Sequence, residues 1–290
     1  MALSNLATRV LFAVVAIPVI GAAIWFGGGT LAILLAIASA LAAWEFCRLA
    51  TAAGYAPFTG VTTSIAGLTP LALHGYLTGS FAPPVLSLGA MIVLFFLASS
   101  LFRRAPGRQP LGAAATSMFG ILYTGGMLSF AYALRYHDYA IGARAGTALL
   151  FYPLVIAWAT DTAAYFAGRA FGRRKLMPSV SPAKTVAGAV GGMIAAMLVS
   201  WGYVQWVLVP NASLAMIPWV ALAVGAALSF VAQAGDLAES LLKREAGVKD
   251  SSHIIPGHGG VLDRLDSLIF VIPVAYFLFT FPHVLLPVVR

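Results

Sequence analysis

Long apolar segments dominate this sequence and constrain its fold more than any motif does. A run of 18 or more apolar residues is long enough for a helix to cross about 30 Å of hydrocarbon. Of the 290 residues, 61% are hydrophobic and only 9% are charged, whereas a soluble domain carries about 25% charged residues. We therefore predict an all-α, polytopic integral membrane protein that forms a single membrane domain over residues 1–290.

Nine transmembrane helices are predicted, separated by joints that carry Gly and Pro. The predicted spans are residues 9–26, 29–49, 60–79, 85–102, 112–134, 147–168, 184–208, 216–241 and 267–289. The first span has the features of a signal peptide, but we predict an uncleaved helix because a polytopic chain needs a first span to set its orientation.

Basic residues predict the orientation, because Lys and Arg are enriched in cytoplasmic loops. With a cytoplasmic N-terminus, nine spans place all 17 Lys and Arg residues on the cytoplasmic side except Arg135, Arg144 and Arg290. The charged regions at 169–184 and 243–266 then both face the cytoplasm. This bias explains the net charge of +8. Binding of anionic lipids or substrates is an additional explanation. No nucleic-acid module is recognisable.

Acidic residues are concentrated near the C-terminus: six of the nine lie between Asp236 and Asp266. Asp236, Ser240 and Lys243 share one face of a predicted helix, and Asp263 and Asp266 are predicted to share a face at the start of the last span. Solvation and the helix dipole stabilise single acids there, but do not explain why two helices bring carboxylates to one end. Carboxylates suit Mg²⁺, which shares its shell with phosphates, so we predict Asp236 and Asp263 as metal ligands, with Asp266 nearby.

Cations are interleaved with these acids, at Lys243, Arg244, Lys249 and Arg264. Arg binds phosphate through a bidentate fork and Lys as a point charge. The orientation bias supplies basic residues but does not mix them with carboxylates. A mixture of both is typical of metal-assisted phosphoryl or nucleotidyl transfer.

The glycine-rich segment PGHGG at 256–260 is a candidate phosphate-binding loop. Gly259 and Gly260 allow the backbone to approach a ligand closely. His258 contacts phosphate or acts as an acid or base in one interpretation, and has neither role in the other.

A second basic segment, residues 168–188, is also a candidate anion site. Ser181, Lys184 and Thr185 precede or begin the seventh predicted span, and the N–H groups of a helix N-terminus suit an anion. Anchoring to lipid headgroups explains the same residues equally well.

Two acids lie outside these segments but near predicted membrane spans. Asp161 falls within the sixth span, and we expect it to face the bundle interior or a polar cavity. Glu45 lies near the end of the second span, and we expect it to pair with Arg48 three residues later.

The stretch SLLKREAGVKDSSHIIPGHGGVLDRLD, residues 240–266, resembles the signature of the phosphatidate cytidylyltransferases, also called CDP-diacylglycerol synthases. That signature reads Ser-x₂-Lys-Arg-x₄-Lys-Asp, then Pro-x-His-Gly-Gly and Asp-Arg-x-Asp, and every fixed position is present. The upstream segment WATDTAAYFAGRAFGRRKLMPSVSPAKT is similar to the family as well. One position departs: Ala187 stands where family members often carry Glu.

The resemblance implies an enzyme that condenses CTP with phosphatidic acid to give CDP-diacylglycerol and pyrophosphate in phospholipid biosynthesis. It also implies Mg²⁺ on Asp236 and Asp263, a monovalent cation such as K⁺ beside it, and a homodimer. The implied location is a bacterial-type inner (plasma) membrane, where the protein contacts membrane lipids and its active site faces the cytoplasm.

Within this framework, residues 1–145 supply spans for packing, lipid contact and an oligomer interface, and residues 146–290 supply the catalytic spans and loops. The implied catalytic residues are Ser240, Lys243, Arg244, Asp250, Arg264 and Asp266. The implied phosphate-binding residues are Ser181, Lys184, Thr185, His258, Gly259 and Gly260.

Three other functions fit parts of the pattern. A transporter would use the acids to couple ions, but such proteins often carry inverted repeats, and none is recognisable here. Another lipid-phosphate transferase, such as a polyprenol kinase or an archaeal-type lipid cytidylyltransferase, would share the chemistry but not the whole signature. A non-catalytic lipid-binding scaffold would not need paired carboxylates.

Overall fold

The computed structural model describes residues 5–82, 84–103, 109–255, 257 and 259–288, and it is almost entirely helical. Its helices are α1 (Asn5–Phe26), α2 (Gly28–Ala52), α3 (Thr59–Leu77), α4 (Val85–Arg103), α5 (Pro110–Gly120), α6 (Met127–Arg135), α7 (Gly142–Phe171), α8 (Val186–Tyr203), α9 (Val209–Ala212), α10 (Pro218–Glu245), α11 (Leu262–Leu265) and α12 (Leu268–Thr280). Its short strands are β1 (Lys175–Met177), β2 (Ser181–Thr185), β3 (Leu214–Ala215) and β4 (Leu286–Pro287).

Each of the nine predicted spans falls on a helix, which confirms an all-α polytopic membrane protein. Within the described residues, six helical segments are long and apolar enough to cross a membrane: Gly28–Ala52, Val85–Phe102, Pro110–Arg135, Gly142–Phe171, Val186–Ala212 and Pro218–Glu245. Large apolar side chains are exposed on these helices, including Leu86 and Phe102 at 89% and 88%. Such exposure suits lipid, because a soluble monomer rarely shows large contiguous apolar patches.

The ninth predicted span is shorter than expected. Its helix, α12, has 13 residues and is therefore only about 20 Å long. Phe281 is extended (φ −73°, ψ 136°) because the next residue is a proline, which disfavours the helical conformation before it. Beyond it, β4 pairs with β3 in an antiparallel ladder.

The α-helical pattern is interrupted inside two predicted spans. Between α5 and α6, residues Ile121–Gly126 form a π-helical turn, and Val204–Leu208 form another between α8 and α9. These wide turns keep the chain helical through the whole apolar segment, so hydropathy alone does not reveal them.

The chain folds into two compact units. The first unit comprises Met1–Tyr132 and Leu242–Arg264, and the second comprises Ala133–Leu241 and Leu265–Arg290. The first unit therefore contains most of the N-terminal helices together with the last turn of α10 and the charged loop that follows it.

In the second unit, α7 and α8 pack closely enough to require small residues. A Cβ added at Gly192 of α8 would lie 2.8 Å from the carbonyl oxygen of Thr160 in α7. Small residues let helix backbones approach in this way in membrane proteins. The β1–β2 hairpin connects the two helices and, with them, borders a polar cavity.

Candidate functional site

A cavity of about 620 Å³ lies in the second unit, between α7, α8, α10 and the β1–β2 hairpin. This volume is typical of a small-molecule site. Its charged lining residues are two acids and three bases, namely Asp161, Asp236, Arg169, Lys175 and Lys184. The uncharged polar side chains of Tyr165, Thr185 and Gln233 complete the polar part of the wall.

Lys184 and Asp236 form an ion pair inside this cavity. Lys184 Nζ lies 2.5 Å from Asp236 Oδ2, with side-chain exposures of 25% and 29%. Ser240, one turn further along α10, donates a hydrogen bond of 3.4 Å to Asp236 Oδ1. The predicted placement of Ser240 and Asp236 on one helix face is confirmed.

Thr185 holds the start of α8. Its Oγ1 accepts a hydrogen bond of 3.1 Å from the N–H of Gly188, which makes it the N-cap of that helix. Lys184 and Thr185, which were predicted to open the seventh span, end strand β2 instead, and helix α8 begins directly after them at Val186. Ser181, at the other end of β2, pairs with Met177 in the hairpin and does not belong to the described lining of the cavity.

Two further acids of the second unit lie near this ion pair. Asp161 lines the cavity, as the sequence predicted for it, and is close enough to Asp236, Asp266 and Lys184 to interact with their charges. Asp266 Oδ1 accepts a hydrogen bond of 2.6 Å from the N–H of Ser267. Among the residues that the structure describes, no group of three or more His, Cys, Asp or Glu side chains has the arrangement of a metal site.

The expectation that Asp263 and Asp266 share a face of one helix is wrong. Asp263 lies in the four-residue helix α11, and Asp266 lies in the turn between α11 and α12. The Asp266 side chain accepts the N–H of the next residue, a local bond that favours a turn over a continuous helix.

Asp263 belongs to the first unit and is almost buried, with 6% of its side chain exposed. Its Oδ1 lies 2.7 Å from Lys243 Nζ. Its Oδ2 accepts bonds from Ser251 N (2.9 Å), Ser251 Oγ (2.9 Å) and Gly260 N (2.8 Å). Burial by itself raises the pKa of Asp263, but Lys243 and the N–H donors of Gly260 and Ser251 outweigh it and lower the pKa to about 2.

The other predicted residues of this segment lie on its surface or in its loop. Arg244, Asp250 and Arg264 are exposed, and Arg244 Nη1 donates to the carbonyl oxygen of Val248 at 3.1 Å. Gly259 adopts a positive φ of 82°, a conformation that glycine tolerates best. His258 lies outside the described residues.

Glu45 does not pair with Arg48, contrary to the expectation from their spacing. The Arg48 guanidinium lies over the Trp44 ring, 4.9 Å from its centroid. The Glu45 carboxylate is fully buried and accepts hydrogen bonds from the distant serines Ser251 and Ser252. Beyond the presence of a lone acid in an apolar helix, no local feature of the sequence indicates this contact.

Comparison with known proteins assigns the family. The sequence profile of the Cytidylyltransferase family matches residues 7–281. The chain belongs to the cytidylyltransferase family. The resemblance that residues 240–266 indicated is therefore confirmed.

Several bacterial relatives of this chain are named phosphatidate cytidylyltransferase. The Haemophilus influenzae protein is 44% identical over 150 residues, which cover 50% of this chain and 51% of the relative. The Bacillus subtilis protein is 46% identical over 134 residues, covering 46% and 48%. The Staphylococcus aureus (strain COL) protein is 36% identical over 189 residues, covering 65% and 68%. The chain thus spans about half the length of the first two relatives and about two thirds of the third.

Proposed function

We propose that this cytidylyltransferase transfers the cytidylyl group of CTP to phosphatidic acid, giving CDP-diacylglycerol and pyrophosphate. The observation that carries the proposal is the cavity of the second unit, in which the Lys184–Asp236 pair stands beside two further cations. Cations beside carboxylates are what a site for nucleotide and lipid phosphates requires. The names of the three relatives support the same substrates.

The proposed reaction needs no nucleophile from the protein. A phosphate oxygen of phosphatidic acid attacks the α-phosphorus of CTP, the bond from that phosphorus to the bridging oxygen breaks, and pyrophosphate leaves. Arg169, Lys175 and Lys184 of the cavity neutralise phosphate oxygens. Catalysis then rests on positioning and on electrostatic stabilisation of the transferring group.

In the first unit, Lys243 forms an ion pair with Asp263, and Arg244 and Arg264 are exposed nearby in sequence. We assign all three to phosphate neutralisation in the proposed reaction. Ser240 hydrogen-bonds Asp236 and in the proposal orients that carboxylate. The catalytic roles of Asp250 and Asp266 remain predictions.

The carboxylates of Asp236 and Asp263 fit the chemistry of Mg²⁺ ligands. Asp236 Oδ1, Asp236 Oδ2 and Asp263 Oδ1 each have one described partner, and an ionised carboxylate oxygen accepts about two. Mg²⁺ is commonly bound through one or two carboxylates, with waters and substrate phosphates completing its shell. A magnesium site is therefore compatible with the lack of a three-residue cluster among the described residues. When bound, the ion would stabilise negative charge on the phosphates. The binding of a monovalent cation such as K⁺ and the formation of a homodimer remain predictions.

We also propose that the protein lies in a bacterial inner membrane with its site on the cytoplasmic side. The distribution of Lys and Arg supports this orientation, and CTP is a cytosolic substrate. Cys47 is the sole cysteine of the sequence and is buried, so an introduced cysteine can report accessibility. A membrane-impermeant maleimide added to intact cells should label Asp138→Cys and spare Lys249→Cys; the reverse pattern would contradict the orientation.

Pyrophosphate release by the purified protein in detergent tests the function. We expect release to require CTP, phosphatidic acid and Mg²⁺ together, and Asp236→Asn to reduce kcat roughly 100- to 1,000-fold. Asp138→Asn makes the same charge change at an exposed loop residue and should keep wild-type activity. Release without phosphatidic acid, or equal activity of Asp236→Asn and wild type, would refute the proposal. Family membership does not favour the transporter alternative.

A further inference from the structure

Glu45 of α2 is fully buried and accepts four hydrogen bonds from residues more than 200 positions away in sequence. Its Oε1 accepts from Ser252 Oγ (2.5 Å) and from Val261 N (3.0 Å). Its Oε2 accepts from Ser251 Oγ (3.1 Å) and from Leu262 N (2.6 Å). Each oxygen thus receives one hydroxyl and one backbone N–H, which fills the acceptor capacity of a carboxylate.

These donors lie at two places along the chain between α10, which ends at Glu245, and the start of α11 at Leu262. Val261 and Leu262 are at the start of α11, where the first N–H groups of a helix have no partner within the helix. Ser251 lies near the middle of the connecting segment, and its Oγ is shared between Glu45 Oε2 and Asp263 Oδ2. Glu45 therefore joins the middle of the segment to the start of α11, and it accepts hydrogen bonds from N–H groups that have no partner within that helix.

Asp263 takes part in the same hydrogen-bonded group. Its Oδ2 accepts from Ser251 and from Gly260 N, while its Oδ1 is turned toward Lys243. Gly260 has no room for a side chain, because an added Cβ would lie 2.6 Å from both oxygens of Glu45. The direction of Asp263 Oδ1 thus depends on a backbone that Glu45 holds in place.

We propose that Glu45 is a positioning residue for the proposed reaction: it holds Ser251 and the start of α11 so that Asp263 and Lys243 keep their orientation. The roles of Asp263 and Lys243 in this inference rest on the proposed function. The hydrogen bonds of Glu45 are observed in the structure and do not depend on that function. Glu45 itself touches no reacting group in this scheme.

Glu45→Gln is the sharpest substitution, because it keeps the size of the side chain and changes only its charge and its donor pattern. Whichever way the amide is turned, its NH₂ faces one serine hydroxyl and one backbone N–H. The hydroxyl can rotate to accept a bond, but the N–H of Val261 or Leu262 cannot. One buried N–H is therefore left opposite another donor.

Hydrogen–deuterium exchange of the full-length protein measures the contact without reference to activity. We expect amides at 261–262 to exchange roughly 10- to 100-fold faster in Glu45→Gln than in wild type, as for the loss of a hydrogen bond to a charged group. Leu31→Ala is the matched control, because Leu31 is buried in the same helix (1% exposed) and lies roughly 21 Å away along it. It should lower the unfolding temperature and leave exchange at 261–262 unchanged.

Kinetics then separate positioning from a loss of folded protein. Glu45→Gln should lower kcat per folded molecule about tenfold or more and raise the Mg²⁺ concentration needed for half-maximal activity, with KM for CTP changing less. Leu31→Ala should keep wild-type kcat. If Glu45→Gln does not fold, Ser252→Ala removes one of the four donors and should give smaller changes of the same kind.

Unchanged exchange at 261–262 in Glu45→Gln would overturn the inference, and so would faster exchange with wild-type kcat and Mg²⁺ dependence. If wild type does not turn over CTP and phosphatidic acid, the proposed function fails. Exchange then still decides the contact: acceleration in Glu45→Gln but not in Leu31→Ala supports it, and equal rates refute it.

Discussion

The low pKa of Asp263 predicts a specific dependence of stability on pH. Its ordinary pKa of 3.8 falls to about 2 in the folded protein, and each pKa unit corresponds to ~1.4 kcal/mol. Ionised Asp263 therefore stabilises the folded state by about 2 kcal/mol at pH 7. Because the folded-state pKa is the lower one, this contribution is complete above the ordinary pKa and is lost as the pH falls from 3.8 toward 2. About half of it remains at pH 3.

Unfolding of wild type and Asp263→Asn in detergent, at pH 7 and pH 3, measures this contribution. The comparison removes the titration of all other acids, which the two proteins share. We expect Asp263→Asn to be less stable by about 2 kcal/mol at pH 7 and by about 1 kcal/mol at pH 3. Asp138→Asn, in an exposed loop, should show no such change. An equal stability difference at both pH values would refute the electrostatic reasoning, since a loss of shape or packing alone does not titrate.

Three further changes test the second unit. Lys184→Met removes the cation paired with Asp236, and we expect kcat/KM for CTP to fall roughly 10- to 100-fold, measured by pyrophosphate release; wild-type kcat/KM would exclude a phosphate contact. Thr185→Ala removes the N-cap of α8 and should cost about 1 kcal/mol in thermal unfolding, whereas no loss would show that the cap bond is not stabilising. Gly192→Leu forces a side chain against the Thr160 carbonyl oxygen and should cost at least ~1–3 kcal/mol, unless α7 and α8 separate more readily than the structure indicates.

The helices could be predicted because hydropathy is a local property of the chain. All nine predicted spans coincide with helices, since every apolar run must hydrogen-bond its own backbone in a membrane. The ends could not be predicted as well. The predicted ninth span continues past Phe281 because the apolar run continues, whereas the proline that follows Phe281 forces an extended conformation.

The candidate site was predictable where its contacts are local. The bond between Ser240 and Asp236 follows from a spacing of four on a helix, and the cap at Thr185 follows from its place before an apolar run. Contacts between distant segments were not predictable. The spacing predicts Arg48 as the partner of Glu45 because sequence shows only its neighbours, whereas its partners in the structure are 206 to 217 residues away.

The carboxylates of this apolar protein have two kinds of partner, and the kind of partner indicates the role of the residue. Among the described residues, the donors to Glu45 are all neutral, two hydroxyls and two backbone N–H groups, and these fill both of its oxygens. Such a group has nothing left with which to bind a ligand, so its contribution is to the shape of the loop. Asp236 and Asp263 also accept hydrogen bonds from neutral donors, but each of them pairs with a lysine as well.

A lysine is a partner that can be exchanged, because its flexible stem lets the ammonium follow another anion. When a phosphate enters, Lys184 or Lys243 can move to it, and the carboxylate that it leaves is then open to a cation. An acid whose acceptor sites are all filled by fixed donors loses stability when one of those donors is removed, because a buried group is then left without a partner. An acid paired with a lysine can exchange that partner for a cation. The partners of these three acids therefore separate the residue that shapes the loop from those that we expect to meet substrate.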